Sequence, residues 1–365
     1  VDGPTRAVYE ASASTYAARR HLGRGDDARA FGTAVRSGGR RLDLGCGPGR
    51  HLPLLGRPVV GLDGARAMLA LAAGSDPTAP LVHADLADLP FDRGAFAGVW
   101  ASKAHLHLTA AELPMALAEV HRVLEVGGRF ELTLFAPAAP GPTATEVSGA
   151  GDDLPGRRFT WWEPRHLARV VEAAGFSIEA QRTVAGDGSH PRIELTAIAQ
   201  RALPDHVGPG MALLCCGLNP SLHAADAGVG YVTGSNRFWR AMAAAGLATR
   251  DRDPRHLLRH HGIGMTDLVK RATARADELS ADEYREGVDR LAELCTWLEP
   301  AAVAVVGLAG WRAAVDRRAT VGWQERRLGP SPVYVLPSTS GLNAGTSLDD
   351  LVDHLRTARA GIGHR

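Results

Sequence analysis

Twice along its length this chain alternates short apolar runs with longer helical patterns, and a polar, proline-bearing joint, Arg201-Ala202-Leu203-Pro204-Asp205, separates the two series. Short buried runs that take turns with helices satisfy their backbones and cover both faces in a parallel sheet flanked by helices, so each half is expected to be an α/β layer structure. In the first half, 41–44, 59–62, 81–83, 97–100, 130–135 and 193–199 read as strands, and 163–174 reads as a helix stopped by Gly175. In the second, 211–216, 302–306 and 333–336 read as strands and 237–245, 281–298 and 348–359 as helices. The Pro-, Gly- and Ala-rich stretch 136–151 is long for a connection and reads either as a flap over a substrate site or as a disordered spacer. At 365 residues the chain exceeds the size of one ordinary core, and the expected domains are 1–203 and 204–365.

Composition narrows the partners. A hydrophobic share of 45% and a charged share of 22% are those of a soluble globular protein; no apolar run is long enough to span a bilayer, and residues 1–4 open no secretory signal, so the cytoplasm is the expected address. The formal net charge of +1 excludes a polybasic field, so any nucleic-acid contact has to be local. Cys46, Cys215, Cys216 and Cys295 show no C-x-x-C spacing, which argues for free thiols and against a zinc or iron-sulfur site; no metal is expected.

Leu42-Asp43-Leu44-Gly45-Cys46-Gly47-Pro48-Gly49 is a strand running into a glycine turn, where exposed N–H groups and missing Cβ atoms let a ligand approach the backbone. Dinucleotide, nucleotide and adenosylmethionine sites all use such turns. Asp63, ending the next strand, can accept two ribose hydroxyls, and Asp85 can take an adenine amino group. With Trp100-Ala101-Ser102 and the segment His121 to Phe130, these residues resemble the class I methyltransferases, over roughly 1–200. The resemblance implies that Asp43, Gly45, Gly47, Asp63, Asp85 and the Ala101 backbone, with Cys46, Gly49 and Leu86 in the same loops, bind S-adenosyl-L-methionine. No Gly-Lys-Ser/Thr makes a P-loop, and no Asn-Pro-Pro-Tyr-type tetrapeptide follows the fourth strand, so the resemblance names no methyl acceptor. His105 and His107 read either as acceptor bases or as ordinary helix-face histidines.

In the second half Gly217-Leu218-Asn219-Pro220 leaves a strand. Breaking an N-glycosidic bond passes through an oxocarbenium-like sugar, so the attacking water needs orientation more than a strong base, and an amide can supply it. Asn219 reads either as part of an ordinary Asn-Pro turn or as such a water-positioning residue, with backbone N–H groups near Leu218 meeting charge on the departing base. Gly230-Tyr231, Asn236-Arg237-Phe238-Trp239, the segment Gly262 to Val269 and Leu336-Pro337-Ser338-Thr339-Ser340-Gly341-Leu342-Asn343 follow. In this order the segments through Val269 resemble the mismatch-specific uracil and thymine DNA glycosylases, over roughly 205–359.

That resemblance implies a uracil-DNA-glycosylase-like α/β/α sandwich with a short parallel sheet, placed after a Rossmann-like methyltransferase sheet. It assigns Gly217, Leu218 and Tyr231 to base binding, Tyr231 by stacking on an extracted pyrimidine. Ser340, Gly341, Leu342 and Asn343 are assigned to DNA, with Leu342 as the wedge filling the space an everted base leaves. Asn236 reads as a helix cap, Phe238 and Trp239 as core, and Lys270, Arg271 and Arg275 as phosphate contacts or an exposed basic face. Ser221 and Asp267 depart from residues common in relatives. With Lys270 the only lysine of this half, a Schiff-base lyase is not expected. The expected partners are S-adenosylmethionine and duplex DNA carrying a mismatched or damaged pyrimidine. No cofactor is expected for the glycosylase half, and no oligomeric state is assigned. The competing reading is a methyltransferase whose second domain only binds nucleic acid.

Overall fold

The computed structural model describes residues 2–19, 23–185 and 190–361. The chain separates into two compact units, Val1–Gln200 and Arg201–Arg365, each with its own sheet. The joint read around Pro204 lies inside the second unit, where Ala202 bridges to Arg271 and His206 to Met265.

In the first unit, helices α1 (Gly3–Arg19) and α2 (Gly25–Ala34) precede strand β1 (Arg41–Leu44); then come β2 (Val59–Asp63), α3 (Arg66–Ser75), β3 (Leu81–His83), β4 (Phe96–Ser102), α4 (Leu113–Val123) and β5 (Leu124–Phe135). Strands β6 (Ala144–Val147) and β7 (Arg158–Trp161), helix α5 (Pro164–Ala173) and strands β8 (Phe176–Val184) and β9 (Arg192–Ala199) complete it. The sheet runs β3-β2-β1-β4-β5, parallel throughout, with β9 antiparallel to β5 and β8 antiparallel to β9. β1 is buried at all four positions, as a central parallel strand requires. Segment 136–151 contains β6, paired antiparallel with β7, and Thr145 and Thr160 share a 2.7 Å hydroxyl bond across the pair, so that part of the stretch is not a disordered spacer.

The second unit contains β10 (Leu213–Gly217), α6 (Leu222–Ala227), α7 (Phe238–Ala244), α8 (Pro254–His261), β11 (Ile263–Asp267), α9 (Ala281–Leu298), β12 (Val303–Val306), α10 (Leu308–Ala314), β13 (Gly322–Trp323), β14 (Val333–Leu336) and α11 (Leu348–Ala360). Its sheet order is β11-β10-β12-β14-β13, parallel except for β13. Fully buried β10, β12 and β14 pack against Phe238, Trp239, Leu351 and Leu355 on one face. Ser280 caps α9 through a reciprocal bond with Glu283, and Ser347 caps α11 with Asp350 in the same way. All four cysteines are free and buried.

Candidate functional site

Both units place their chemistry at the carboxyl ends of parallel strands, beside the strand from which the chain departs in one direction and later returns on the other side. In the first unit that strand is β1, between β2 and β4; in the second it is β10, between β11 and β12. Loops diverge at such points and leave a crevice.

After β1, Gly45, Gly47 and Gly49 all take positive φ, and a Cβ on Gly47 would meet nothing within 4 Å, so that backbone is open to a ligand. Gly45 and Gly49 are closed to larger residues for another reason: a Cβ there would strike Ala104 or Ala72. Asp63 braces the turn, its two carboxylate oxygens accepting from Gly47 N at 2.9 Å and Ala65 N at 2.8 Å. With the Gly64 backbone also bonded to it, the carboxylate still keeps a lone pair for a ligand hydroxyl. Asp43 is 2% exposed with Oδ2 unpartnered, and burial, aided by the Asp63 carboxylate, pushes it up to about 8. An orphaned carboxyl beneath an open glycine turn fits a cationic or hydrogen-bonding group from a ligand. Asp85 is exposed and accepts from Ala87 N at 2.8 Å, whereas the side chains of Leu86, Cys46 and Ala101 are buried.

His105 and His107 lie on a 3-10 turn and are buried, not on an exposed helix face. Burial pushes both down to about 4, so they are neutral imidazoles near pH 7. His107 Nδ1 lies 2.6 Å from the Arg158 carbonyl, which can only accept; that fixes the tautomer and makes Nε2 the acceptor for the Tyr9 hydroxyl at 2.7 Å. Arg157 donates to the same Tyr9 oxygen at 3.1 Å. Both ring nitrogens of His105 are buried without a partner.

In the second unit the loops after β10 and β11 are zipped together. Leu268 N donates to Gly217 O, Val269 N to Leu218 O and Thr273 N to Pro220 O, at 2.9, 2.9 and 3.1 Å. Within this frame the Asn219 amide nitrogen donates to Thr273 Oγ1 at 2.7 Å and to the Arg271 carbonyl at 3.1 Å. Because a carbonyl can only accept, these bonds decide which end of the amide is which. Asn219 Oδ1 is thus left as an acceptor on a half-buried side chain. Ser221 caps α6 by accepting from Ala224 N at 3.1 Å, which gives the departure at that position a structural task.

Gly217 stands opposite Asp267 in the strand register. A Cβ on Gly217 would lie 2.9 Å from Tyr231 Oη and would strike Asp267 Oδ1, so these two side chains close on the bare backbone. Burial pushes Asp267 up to about 6, with Lys270 and Arg290 pulling the other way. Tyr231 has a positive φ, a buried hydroxyl without a partner, and one ring face stacked on Phe238 at 4.2 Å. Leu342, by contrast, is 96% exposed on the loop that leaves β14.

Two family models match this chain: the methyltransferase domain over residues 42–132 and the uracil DNA glycosylase superfamily over residues 204–358. The chain joins a methyltransferase domain to a uracil DNA glycosylase superfamily domain. Among solved structures, it is 20% identical to a Burkholderia thailandensis 1,6-didemethyltoxoflavin-N1-methyltransferase, with 55% of this chain and 92% of that one covered and a TM-score of 0.45. The CcbJ methyltransferase from Streptomyces caelestis is also 20% identical, with 55% and 100% covered and a TM-score of 0.44.

In the glycosylase-superfamily domain Lys270, Arg271 and Arg275 are each paired with a carboxylate. Lys270 Nζ bonds Asp205 at 2.6 Å, Arg290 reaches the same carboxylate at 2.9 Å, Arg271 pairs with Glu283 and Arg275 with Asp277. Asp205 is 2% exposed; burial works to raise it, but Lys270 and Arg290 hold it below its usual range. Asn236 accepts from Phe238 N at 2.9 Å, and Phe238 and Trp239 are core, as their sequence pattern indicates. Arg237 is the residue the motif reading passed over. Its side chain bonds the carbonyls of Ser340 and Asn343 at 3.1 and 2.9 Å and that of Thr346, more than a hundred residues along the chain. Only the conspicuous arginine between a cap and two core aromatics could have flagged it.

Proposed function

We propose that the glycosylase-superfamily domain hydrolyses the N-glycosidic bond of an everted uracil or thymine in mismatched duplex DNA. The observation that carries this reading is the anchored amide of Asn219: its nitrogen is committed to Thr273 and Arg271, so its oxygen is oriented to hold a water against the anomeric carbon. The amide cannot titrate and accepts no proton, so bond breaking leads and water follows, with backbone N–H groups near Leu218 meeting the charge on the departing base. Such a site is slow and favours bases already weakly paired. Leu342, exposed and apolar, is suited to fill the vacated stack, with Ser340, Gly341 and Asn343 along the backbone, while Gly217, Leu218 and Tyr231 line the base site. Removing the amide in N219A is expected to leave DNA binding intact and abolish base release from U:G and T:G duplexes in a product assay. Undiminished release overturns the reading.

The methyltransferase domain, on the same footing, takes S-adenosyl-L-methionine at the β1 rim; the two Burkholderia and glycopeptide methyltransferase structures similar to it contain S-adenosylhomocysteine and S-adenosylmethionine. Asp63 faces the ribose, Asp85 the adenine, Gly45, Gly47 and Gly49 the backbone approach, and Asp43 the amino acid part, in line with its orphaned oxygen. When bound, the cofactor supplies an electrophilic methyl group. The chain's own contribution is to hold it and to keep the Tyr9 proton directed at His107.

A further inference from the structure

Arg237 and Phe238 are neighbours at the start of α7 and act on different parts of the site. The Phe238 ring backs Tyr231, and the next residue, Trp239, donates from Nε1 to Gly230 O at 2.9 Å, so this turn fixes the base-site aromatic from behind. Arg237 faces the loop that carries Leu342. Its backbone N–H donates to Thr339 O at 2.9 Å, and its guanidinium bridges the carbonyls of Ser340, Asn343 and Thr346. Asn343 adds bonds from Nδ2 to Ser338 O at 2.9 Å and to Thr346 Oγ1 at 3.2 Å. Gly341 sits so close to Ser235 that a Cβ would come within 2.7 Å of the Ser235 carbonyl. The loop presents a leucine that is 96% exposed, yet one cation gathers the carbonyls on both sides of it.

We propose that Arg237 is a positioning residue for DNA distortion, whose guanidinium holds the Leu342 loop in its projecting form and at a fixed offset from the Tyr231 base site. This rests on the glycosylase reading above. An exposed apolar side chain on an unconstrained loop folds back or samples many positions, and ordering it during duplex entry costs conformational entropy of side chain and backbone. A planar fork with five donors can satisfy three carbonyls at once and remove that cost beforehand; an ammonium cannot match the geometry. Because the same short turn carries Phe238, eversion of a base and its reception are held in one register.

The test uses the full chain and two substrates: a U:G duplex, which must be opened, and a duplex with uracil in an unpaired bulge, which is already open. R237M and the milder R237K are expected to slow single-turnover release from the U:G duplex by about tenfold or more, and to change release from the bulge less than about threefold. Combining R237M with L342A should add little to either change alone, since both act through one wedge. Amide hydrogen exchange should quicken across 338–346 in the variants and stay unchanged in β10 and β12. Equal slowing on both substrates, or unaltered exchange in the loop, overturns the role assigned to Arg237. A parent protein inert on both substrates instead overturns the glycosylase reading on which it rests.

Discussion

At the scale of single residues, two buried carboxyls of the second unit make opposing demands. Asp205 is held charged by Lys270 and Arg290, whereas Asp267, 8% exposed, is pushed up to about 6 by burial. A raised carboxyl binds its proton more readily in the folded than in the unfolded chain, so its contribution to stability falls as pH rises from about 4 through 6 and stays low above. A displacement of this size corresponds to on the order of 3 kcal/mol. D267N is therefore expected to be more stable than the parent at pH 8, with the gap closing toward pH 4 in urea denaturation; a gap constant with pH would show that Asp267 is not the titrating group. Asp43 gives a second pH test. If a cationic group of the cofactor meets it, binding expels its proton, so affinity rises with pH up to about 8, and D43N flattens the profile in calorimetry. Of these residues, Asn219 was singled out only by the order of the motifs around it, since Asn-Pro alone is an ordinary turn, and Asp43 because it precedes a glycine turn. The burial of His105 and His107 was not legible: two polar residues after a strand look like surface, and the turn that tucks them under Phe159 and Phe130 is set by tertiary packing.

Among the elements, the buried strands were easiest to read, since continuous apolar runs such as Leu213–Gly217 and Val333–Leu336 have nowhere to go but a covered sheet. Strand β6 was hidden because exposed Ala144–Val147 carries no apolar alternation and is a strand only through its pairing with β7. The β14–α11 loop was assigned to DNA only by resemblance, and its bonding to Arg237 was not legible at all, since that residue lies far upstream. Truncating its tip in L342A should reduce release from mismatched duplex by about tenfold, while leaving binding to a duplex that contains a ready-made gap nearly unchanged. Equal activity on intact duplex would remove the wedge from the mechanism. Elsewhere, S280A removes the hydroxyl that accepts from Glu283 N in the α9 capping box, leaving the Ser280 N bond to Glu283, and should cost about 1 kcal/mol, read as a shifted denaturation midpoint.

For the whole molecule, each unit has its own sheet and its own buried cluster, Phe31 with Trp100 in the first and Phe238 with Leu336 in the second. Two cores of this kind should melt as two transitions rather than one. A cofactor confined to the first unit should raise one midpoint only, by a stabilisation of about 2.7 kcal/mol at a hundredfold excess over its dissociation constant. Calorimetry with S-adenosylmethionine checks this, and a single transition displaced as a whole would mean the units unfold together. The bare backbone at Gly217 has an evolutionary corollary. With Tyr231 and Asp267 crowding the space where any side chain would begin, that position is closed to substitution, and change at this end of β10 has to come through the phenol or the acid around it.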